Sequence, residues 1–220
     1  FESLTGGTAT DIFTFTETGS LTKTLTGGTA TGVIDRLDLS TKSGALDFQL
    51  NTTRSVPGTI GAYTGIEQIT ANGDVGTKVT RVNDTTTAWA VNAVGQIVVN
   101  GVTYSGVGSI AGGPGMDRIT GPAVDSIWSI DAANGGSLAI PGVSVAFTGI
   151  ENLTGSTASD AFDVLPGGSV AGNLNGGTGT GINSLSYSQW ALGVTVNLSV
   201  TTPSNASGIS GLTSNIQMVT

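Results

Sequence analysis

Apolar and polar residues alternate in several short segments of the chain. The clearest are LDFQL (46–50), IVVNGVTY (97–104), VSVAF (143–147) and VTVNL (194–198). Alternation with a period of two places one side of a strand against a core. Gly, Asn, Asp and Pro interrupt these segments at short intervals, and no 11-residue window carries a helical stripe. The pattern therefore predicts an all-β protein.

A seven-residue motif recurs along the chain as an aromatic residue, a hydroxyl residue, Gly, a β-branched residue and, three positions later, an apolar residue. It reads YTGIEQI (63–69), YSGVGSI (104–110) and FTGIENL (147–153). Phe1 and Ile216 take the place of its β-branched residue at the two ends of the chain. The motif divides the chain into the repeats 1–65, 66–106, 107–149 and 150–215, with 216–220 starting the next unit.

The repeats fall into a long-short-short-long array. FESLTGGTATDIFTF matches IENLTGSTASDAFDV at an offset of 149 residues, and WAVNA (89–93) matches WSIDA (128–132) in the short repeats. ALDFQLN (45–51) pairs with GVTVNLS (193–199) after a slip of one residue. Three turns in each long repeat and two in each short one make ten turns of roughly 21–22 residues, a period typical of solenoids.

We therefore expect residues 1–220 to form a single domain, a right-handed parallel β-helix, or β-solenoid, of about ten coils. At a strand spacing of about 4.8 Å such a stack is roughly 45–50 Å long. Neither end of the sequence resembles a cap, so we expect a piece of a longer array or copies that stack end to end. The residues expected to stack along the interior are Leu4, Leu25, Leu46, Ile69, Ile110, Leu153 and Leu174.

Composition narrows the classes of partner. The 220 residues include 35 Gly, no Cys and no His, and 15 acidic against 7 basic residues give a net charge of -8. Nucleic acids and anionic membranes are bound through clustered Lys and Arg, which this chain lacks. No apolar segment approaches the ~20 residues of a membrane span, so we expect neither nucleic-acid binding nor membrane insertion.

The segment GGPGMDRIT (112–120) fits the nonapeptide Gly-Gly-x-Gly-x-Asp-x-apolar-x at every position. GGTATDIFT (6–14) and GSTASDAFD (155–163) fit it in part, whereas GGTATGVID (27–35) and GGTGTGINS (176–184) have Gly in place of the Asp. These segments resemble degenerate repeats of the repeats-in-toxin, or hemolysin-type calcium-binding, family of very large bacterial surface and secreted proteins.

The resemblance implies calcium ligands at Asp11, Asp117 and Asp160, because in that family the ion lies between Asp-bearing turns of neighbouring coils. Calcium takes six to eight oxygen ligands, which one carboxylate in one turn does not supply. The alternative is that each Asp caps its own turn by accepting hydrogen bonds from nearby backbone N–H groups. Apart from calcium, we expect no cofactor.

Three further hypotheses concern the surface. An enzyme acting on polysaccharide would need carboxylates close to Arg or Lys. The densest such cluster in the sequence is Asp35, Arg36 and Asp38, with Lys42 and Asp47 nearby. The Thr-x-Thr strings at 8–10, 29–31 and 178–180 suggest the hypothesis of ice binding. Trp89 and Trp128 are either a sugar-stacking pair or core residues. The last hypothesis also concerns Tyr63, Tyr104 and Phe147, which we expect in the core.

Together these features predict a non-enzymatic structural segment of an extracellular bacterial fibre, stalk or adhesin shaft at the cell surface. Its expected partners are neighbouring solenoid units or further copies of itself, and cell-surface polysaccharide is a candidate ligand. The alternative is a ligand-binding solenoid module for carbohydrate, ice or calcium, and an enzyme that degrades polysaccharide comes third.

Overall fold

The structure is a computed structural model that describes residues 1–83, 85–198 and 205–220. In these residues the regular elements are all β-strands, here numbered in chain order, so the all-β prediction is confirmed. No helix in the described part of the chain is long and apolar enough to cross a membrane. The chain divides into two compact units, Phe1–Asn83 with Gln96–Ile110 (unit 1) and Asp84–Gly95 with Ala111–Thr220 (unit 2).

Unit 1 is built on two sheet segments. Their orders are β1-β3-β7-β6-β5-β9-β13 and β2-β4-β8-β12-β11. The strands are β1 (Leu4–Thr5), β2 (Ile12–Thr14), β3 (Leu21–Thr26), β4 (Arg36–Asp38), β5 (Asp47–Leu50), β6 (Arg54–Val56), β7 (Ile60–Thr64), β8 (Gln68–Thr70), β9 (Lys78–Arg81), β11 (Ile97–Val99), β12 (Val102–Ser105) and β13 (Ser109–Ala111).

Unit 2 likewise contains two larger sheet segments. Their orders are β17-β16-β15-β19-β21-β25 and β10-β14-β18-β20-β24, and β22 pairs with β23 separately. The strands are β10 (Ala88–Val91), β14 (Arg118–Thr120), β15 (Ser126–Ala132), β16 (Gly135–Ile140), β17 (Val143–Thr148), β18 (Asn152–Thr154), β19 (Asp160–Val164), β20 (Leu174–Asn175), β21 (Ser184–Ser186), β22 (Val196–Asn197), β23 (Asn205–Ala206), β24 (Thr213–Ser214) and β25 (Met218–Val219).

Parallel pairing brings apolar residues from distant repeats into register. In unit 2, Ile119, Leu153 and Leu174 are direct partners across β14, β18 and β20. All three side chains are buried. Burying a Leu or Ile side chain contributes about 1.5–3 kcal/mol, so each strand stabilises the next through such contacts.

The expected interior residues are buried except Leu4, which is half-buried, but they do not form one column. Leu4 pairs with Leu25, and Leu25 with Tyr63, across β1, β3 and β7. Ile69 pairs instead with Leu37 and Tyr104 in the other sheet of unit 1. The apolar residues expected in the interior are therefore divided between two sheets.

The strand pairing is mixed rather than purely parallel. IVVNGVTY, taken from the sequence as one alternating strand, folds back into the antiparallel hairpin β11–β12. Asn100 and Gly101 at its turn have φ angles of 50° and 77°. Two successive residues with positive φ fit the type I′ turn that Asn-Gly favours, a signal present in the sequence.

The segment VTVNL contributes less to the core than its alternation predicts. Val194 is exposed, and Val196–Asn197 forms the half-buried strand β22, which pairs only with β23 among described residues. Phe48, by contrast, is fully buried in β5. The expected equivalence of ALDFQLN and GVTVNLS therefore does not hold for residues 193–198, and residue 199 lies outside the described residues.

The backbone conformation explains why Gly occupies its position in the seven-residue motif. Gly65, Gly106 and Gly149 have φ angles of 59°, 69° and 63°. The corresponding residue before Ile216 is Asn215, with φ of 54°. Gly and Asn are the residues that enter this left-handed region most readily, so the motif keeps a backbone conformation rather than a side chain.

Candidate functional site

Each aspartate that the resemblance implies as a calcium ligand caps the turn before it. In all three cases its Oδ2 accepts a hydrogen bond from the backbone N–H four residues earlier. The N to Oδ2 distances are 2.7 Å for Gly7 and Asp11, 2.8 Å for Gly113 and Asp117, and 2.8 Å for Ser156 and Asp160. These are the contacts that the turn-capping alternative predicts.

The same turns are joined to later segments of the chain by a second set of bonds. In unit 1 the backbone N–H of Asp11 donates to Oδ1 of Asp35 over 2.8 Å. The N–H of Asp35 in turn donates to Oε2 of Glu67 over 2.8 Å. Each link spans more than twenty residues of sequence. We call a series of this kind, backbone N–H to acidic or amide side chain, a side-chain ladder.

Unit 2 contains a second side-chain ladder. The backbone N–H of Thr87 donates to Oδ1 of Asp117 over 2.6 Å, and the N–H of Asp117 donates to Oε2 of Glu151 over 2.8 Å. Asp117 is fully buried. Because both its carboxylate oxygens accept backbone N–H bonds, the buried charge is compensated by oriented amide dipoles.

A third ladder, also in unit 2, replaces carboxylates by amides. The N–H of Asp160 donates to Oδ1 of Asn183 over 2.9 Å, and the N–H of Asn183 donates to Oε1 of Gln217 over 2.8 Å. Asn183 and Gln217 thus make the bonds that Asp35 and Glu67 make in unit 1. All three ladders therefore need a side-chain oxygen long enough to accept the backbone N–H of the neighbouring turn, whether or not that oxygen is charged.

Sequence reasoning missed the final members of the ladders. Glu67, Glu151 and Gln217 each follow the β-branched residue of the seven-residue motif, so the motif itself held the signal. In YSGVGSI that position is Gly108, which has no side-chain oxygen. The nonapeptide gives no signal for Asp35, because Gly32 occupies the Asp position in that segment and Asp35 stands three residues later.

Asp11 lies in unit 1, whereas Asp117 and Asp160 lie in unit 2. No group of three or more His, Cys, Asp or Glu side chains in the described residues is arranged to hold a metal ion. Asp160 also accepts hydrogen bonds from Ser126 Oγ and from Trp128 Nε1, the latter over 3.2 Å. Calcium binding at these three residues stays a prediction of the resemblance alone, beside the turn-capping bonds that the geometry shows.

No family model, curated protein or solved structure matches this chain significantly.

The five charges weighed for catalysis have separate environments. Asp35 is buried in its ladder, whereas Arg36 and Asp38 lie on the outer side of β4. Lys42 Nζ donates to the backbone carbonyl oxygens of Glu17 and Gly19. Asp47 Oδ2 accepts a hydrogen bond from the Gln49 side chain over 3.2 Å. No shared cleft joins Asp35 to the outward-facing pair, since the two sides of a strand point apart.

The large aromatic residues lie in the core. Trp89, Trp128, Tyr63, Tyr104 and Phe147 are all buried, so the core interpretation of the two Trp residues is confirmed. The hydroxyl groups of Tyr63 and Tyr104 are 3.0 Å apart. Burial raises the pKa of both phenols, and for Tyr63 the charge of Tyr104 raises the pKa further. Such aromatic residues are unavailable for stacking on sugars.

The three Thr-x-Thr strings lie outside the strands. Residues 8–10, 29–31 and 178–180 all lie in the loops between strands. They therefore do not form the Thr row on a sheet face that the ice-binding hypothesis requires.

A groove crosses the outer face of the sheet β10-β14-β18-β20-β24 in unit 2, with a volume of about 560 Å³. Its lining includes Arg118, Asn152 and Asn173, together with exposed Met116 and Leu212. Four strand spacings of about 4.8 Å make it about 19 Å long. Sequence reasoning did not single out these residues, because they come from different repeats.

Proposed function

We propose that this chain is a structural segment of a long extracellular bacterial fibre, stalk or adhesin shaft. In this proposal its sheets wind as a right-handed parallel β-solenoid of about ten coils, and neighbouring units or further copies continue the stack. The function lies in length and stiffness, and the chain performs no catalysis.

The recurrence of the side-chain ladder carries the proposal. Asp35, Asp117 and Asn183 occupy the middle of three ladders, and each links its own turn to segments more than twenty residues away. In a repeat stack, stability is the sum of each repeat and its contacts with its neighbours. A hydrogen bond that recurs at several such contacts strengthens the stack along its length, which suits a shaft rather than one localised site.

The apolar register supports the same role. Trp128 pairs with Phe162 and Phe162 with Leu185 across β15, β19 and β21. The rings of Trp128 and Phe162 are stacked, with centroids 5.4 Å apart. Direct partners of similar apolar character on successive strands let each segment bury its face on the next.

Composition supports an extracellular location. The chain is acidic, rich in Gly and free of Cys. An excess of dispersed acidic residues keeps a large exposed surface soluble and disfavours non-specific association.

Electron microscopy and antibody labelling test the proposal. Purified protein should appear as rods about 45–50 Å long per copy, and as fibres if copies stack end to end. Antibodies raised against the chain should label filaments on cells that produce it. Globular particles together with purely intracellular labelling would overturn both the solenoid and the shaft.

The groove in unit 2 favours a second candidate function, a ligand-binding module. Exposed Met116 and Leu212 line this groove together with the charged Arg118, so it offers both apolar and ionic contacts to a ligand. A shaft that also binds a ligand along its side satisfies both functions.

A further inference from the structure

The side chains of the groove present hydrogen-bond donors. The side-chain oxygens of Asn173 and Asn175 already accept hydrogen bonds from backbone N–H groups. Asn173 Oδ1 accepts the backbone N–H of Leu212 over 2.8 Å, and Asn175 Oδ1 accepts the N–H of Gly177 over 2.8 Å. With each oxygen bound to backbone, the amide NH₂ groups of Asn173 and Asn175 remain without partners among the described residues. Each offers donors to a ligand.

Arg118 adds a charge to these donors. Of the described residues that line the groove, it alone is charged, although the chain carries a net charge of -8. Its side chain is exposed and has no hydrogen-bond or salt-bridge partner among the described residues. A guanidinium group presents a planar fork of N–H donors that matches two oxygens of one anionic group.

The groove favours an extended ligand. It crosses β10, β14, β18, β20 and β24, so a ligand along it meets one strand after another. The interior strands are paired on both sides, so their backbone offers no edge for an added peptide strand. A ligand there must be recognised by side chains, at intervals of about 4.8 Å. That interval is close to the length of one pyranose unit.

We propose that this groove binds an acidic polysaccharide through one local contact rather than through a basic cluster: a single carboxylate or sulfate group lies on Arg118, and sugar oxygens lie on the amides of Asn173 and Asn175. Exposed Met116 and Leu212 supply apolar contacts for the C–H faces of the sugars. The inference does not rest on the shaft role, because a binding groove is compatible with either an isolated module or a segment of a fibre.

Calorimetric titration with defined oligosaccharides tests the inference. The probes are oligogalacturonides, the same oligomers as methyl esters, and dextran sulfate of similar length beside neutral dextran. An acidic oligomer should bind, whereas its neutral counterpart should bind at least about tenfold more weakly, since hydrogen bonds to charged groups are the stronger ones. The two acidic probes distinguish a carboxylate from a sulfate ligand. Equal binding of the acidic and neutral oligomers would overturn the inference, as would no binding at all.

Two variants locate the site. Arg118→Gln should weaken binding about tenfold, whereas Arg36→Gln, which changes an exposed Arg on β4 in unit 1, should leave it unchanged. Asn173→Asp retains the oxygen that accepts the Leu212 N–H and removes the outward donors, so binding should also fall. Equal melting temperatures establish that each variant is folded. An equal loss in Arg118→Gln and Arg36→Gln would place the site elsewhere.

A polyglutamate probe distinguishes an acidic protein partner. If polyglutamate bound in an Arg118-dependent way and the acidic oligosaccharides did not, the partner would be a protein, and the assignment to a polysaccharide would be wrong.

Discussion

The backbone N–H of Asp117 donates a 2.8 Å hydrogen bond to Oε2 of Glu151, a residue 34 positions later in the chain. Asp35 and Glu67 make the same bond in unit 1, also at 2.8 Å and across 32 positions. A turn that looks like an isolated calcium motif is thus one member of a hydrogen-bonded series.

Removing the last oxygen of a ladder should destabilise the protein. We expect Glu67→Ala to lower the free energy of unfolding by about 1–3 kcal/mol, because the N–H of Asp35 loses its acceptor. Glu67→Gln should cost less, since Gln217 makes the equivalent bond to Asn183. Denaturant unfolding of both variants measures the difference. Equal losses would mean that the charge, and not the oxygen, is required.

Gly27 should not tolerate a side chain. A Cβ there would lie 1.8 Å from the carbonyl oxygen of Gly65, a backbone atom that cannot move aside. We expect Gly27→Ala to cost about 1–3 kcal/mol or more, as overpacking does. Gly7→Ala is the matched control, because its Cβ would meet nothing closer than Asp11 Oδ2 at 4.0 Å. Thermal unfolding checks both, and a stable Gly27→Ala protein would contradict the close approach.

Calcium should leave the melting temperature unchanged. Both carboxylate oxygens of Asp117 already accept backbone N–H bonds, and the side chain is fully buried. A ligand that binds only the folded state raises its stability, so melting with calcium and with chelator is a direct measurement. A rise with calcium in the parent protein, absent in Asp117→Asn, would instead support the ligand role that the nonapeptide implies.

Stability should fall at alkaline pH. Burial raises the pKa of the Tyr187 phenol to about 12, whereas an unfolded Tyr titrates near 10. The folded state therefore retains a proton that the unfolded state has lost, and this contribution is complete below about pH 10 and disappears as the pH rises through about 12. Tyr63 and Tyr104 shift in the same direction.

Denaturant unfolding between neutral pH and pH 12 measures this dependence. Tyr187→Phe should weaken the alkaline slope, whatever its effect on stability at neutral pH, where Tyr187 donates to the carbonyl oxygen of Ser207 over 2.6 Å. Tyrosinate absorption should likewise be absent from the folded protein at pH 10. Ordinary titration of all three Tyr residues near that pH would contradict their burial.

The sequence by itself determined the all-β class, the seven-residue motif and its core residues. Alternation and Gly-rich turns depend on local backbone preferences, which short segments carry without their neighbours. The buried aromatic residues Tyr63, Tyr104 and Phe147 and the turn-capping bonds of Asp11, Asp117 and Asp160 followed from the same local rules. Asn100–Gly101 is likewise a local signal for a hairpin turn, although the alternation on both sides of it predicts one continuous strand.

Only the tertiary structure decided which residues meet across the repeats. Glu67 and Asp35 are adjacent because the strands that follow them, β8 and β4, pair in parallel. The register of that pairing cannot be predicted from the separation of the two residues in sequence. The groove around Arg118 likewise takes its residues from five strands. Register is set by how apolar faces of whole segments bury one another, a property of the assembled sheets that a single segment does not encode.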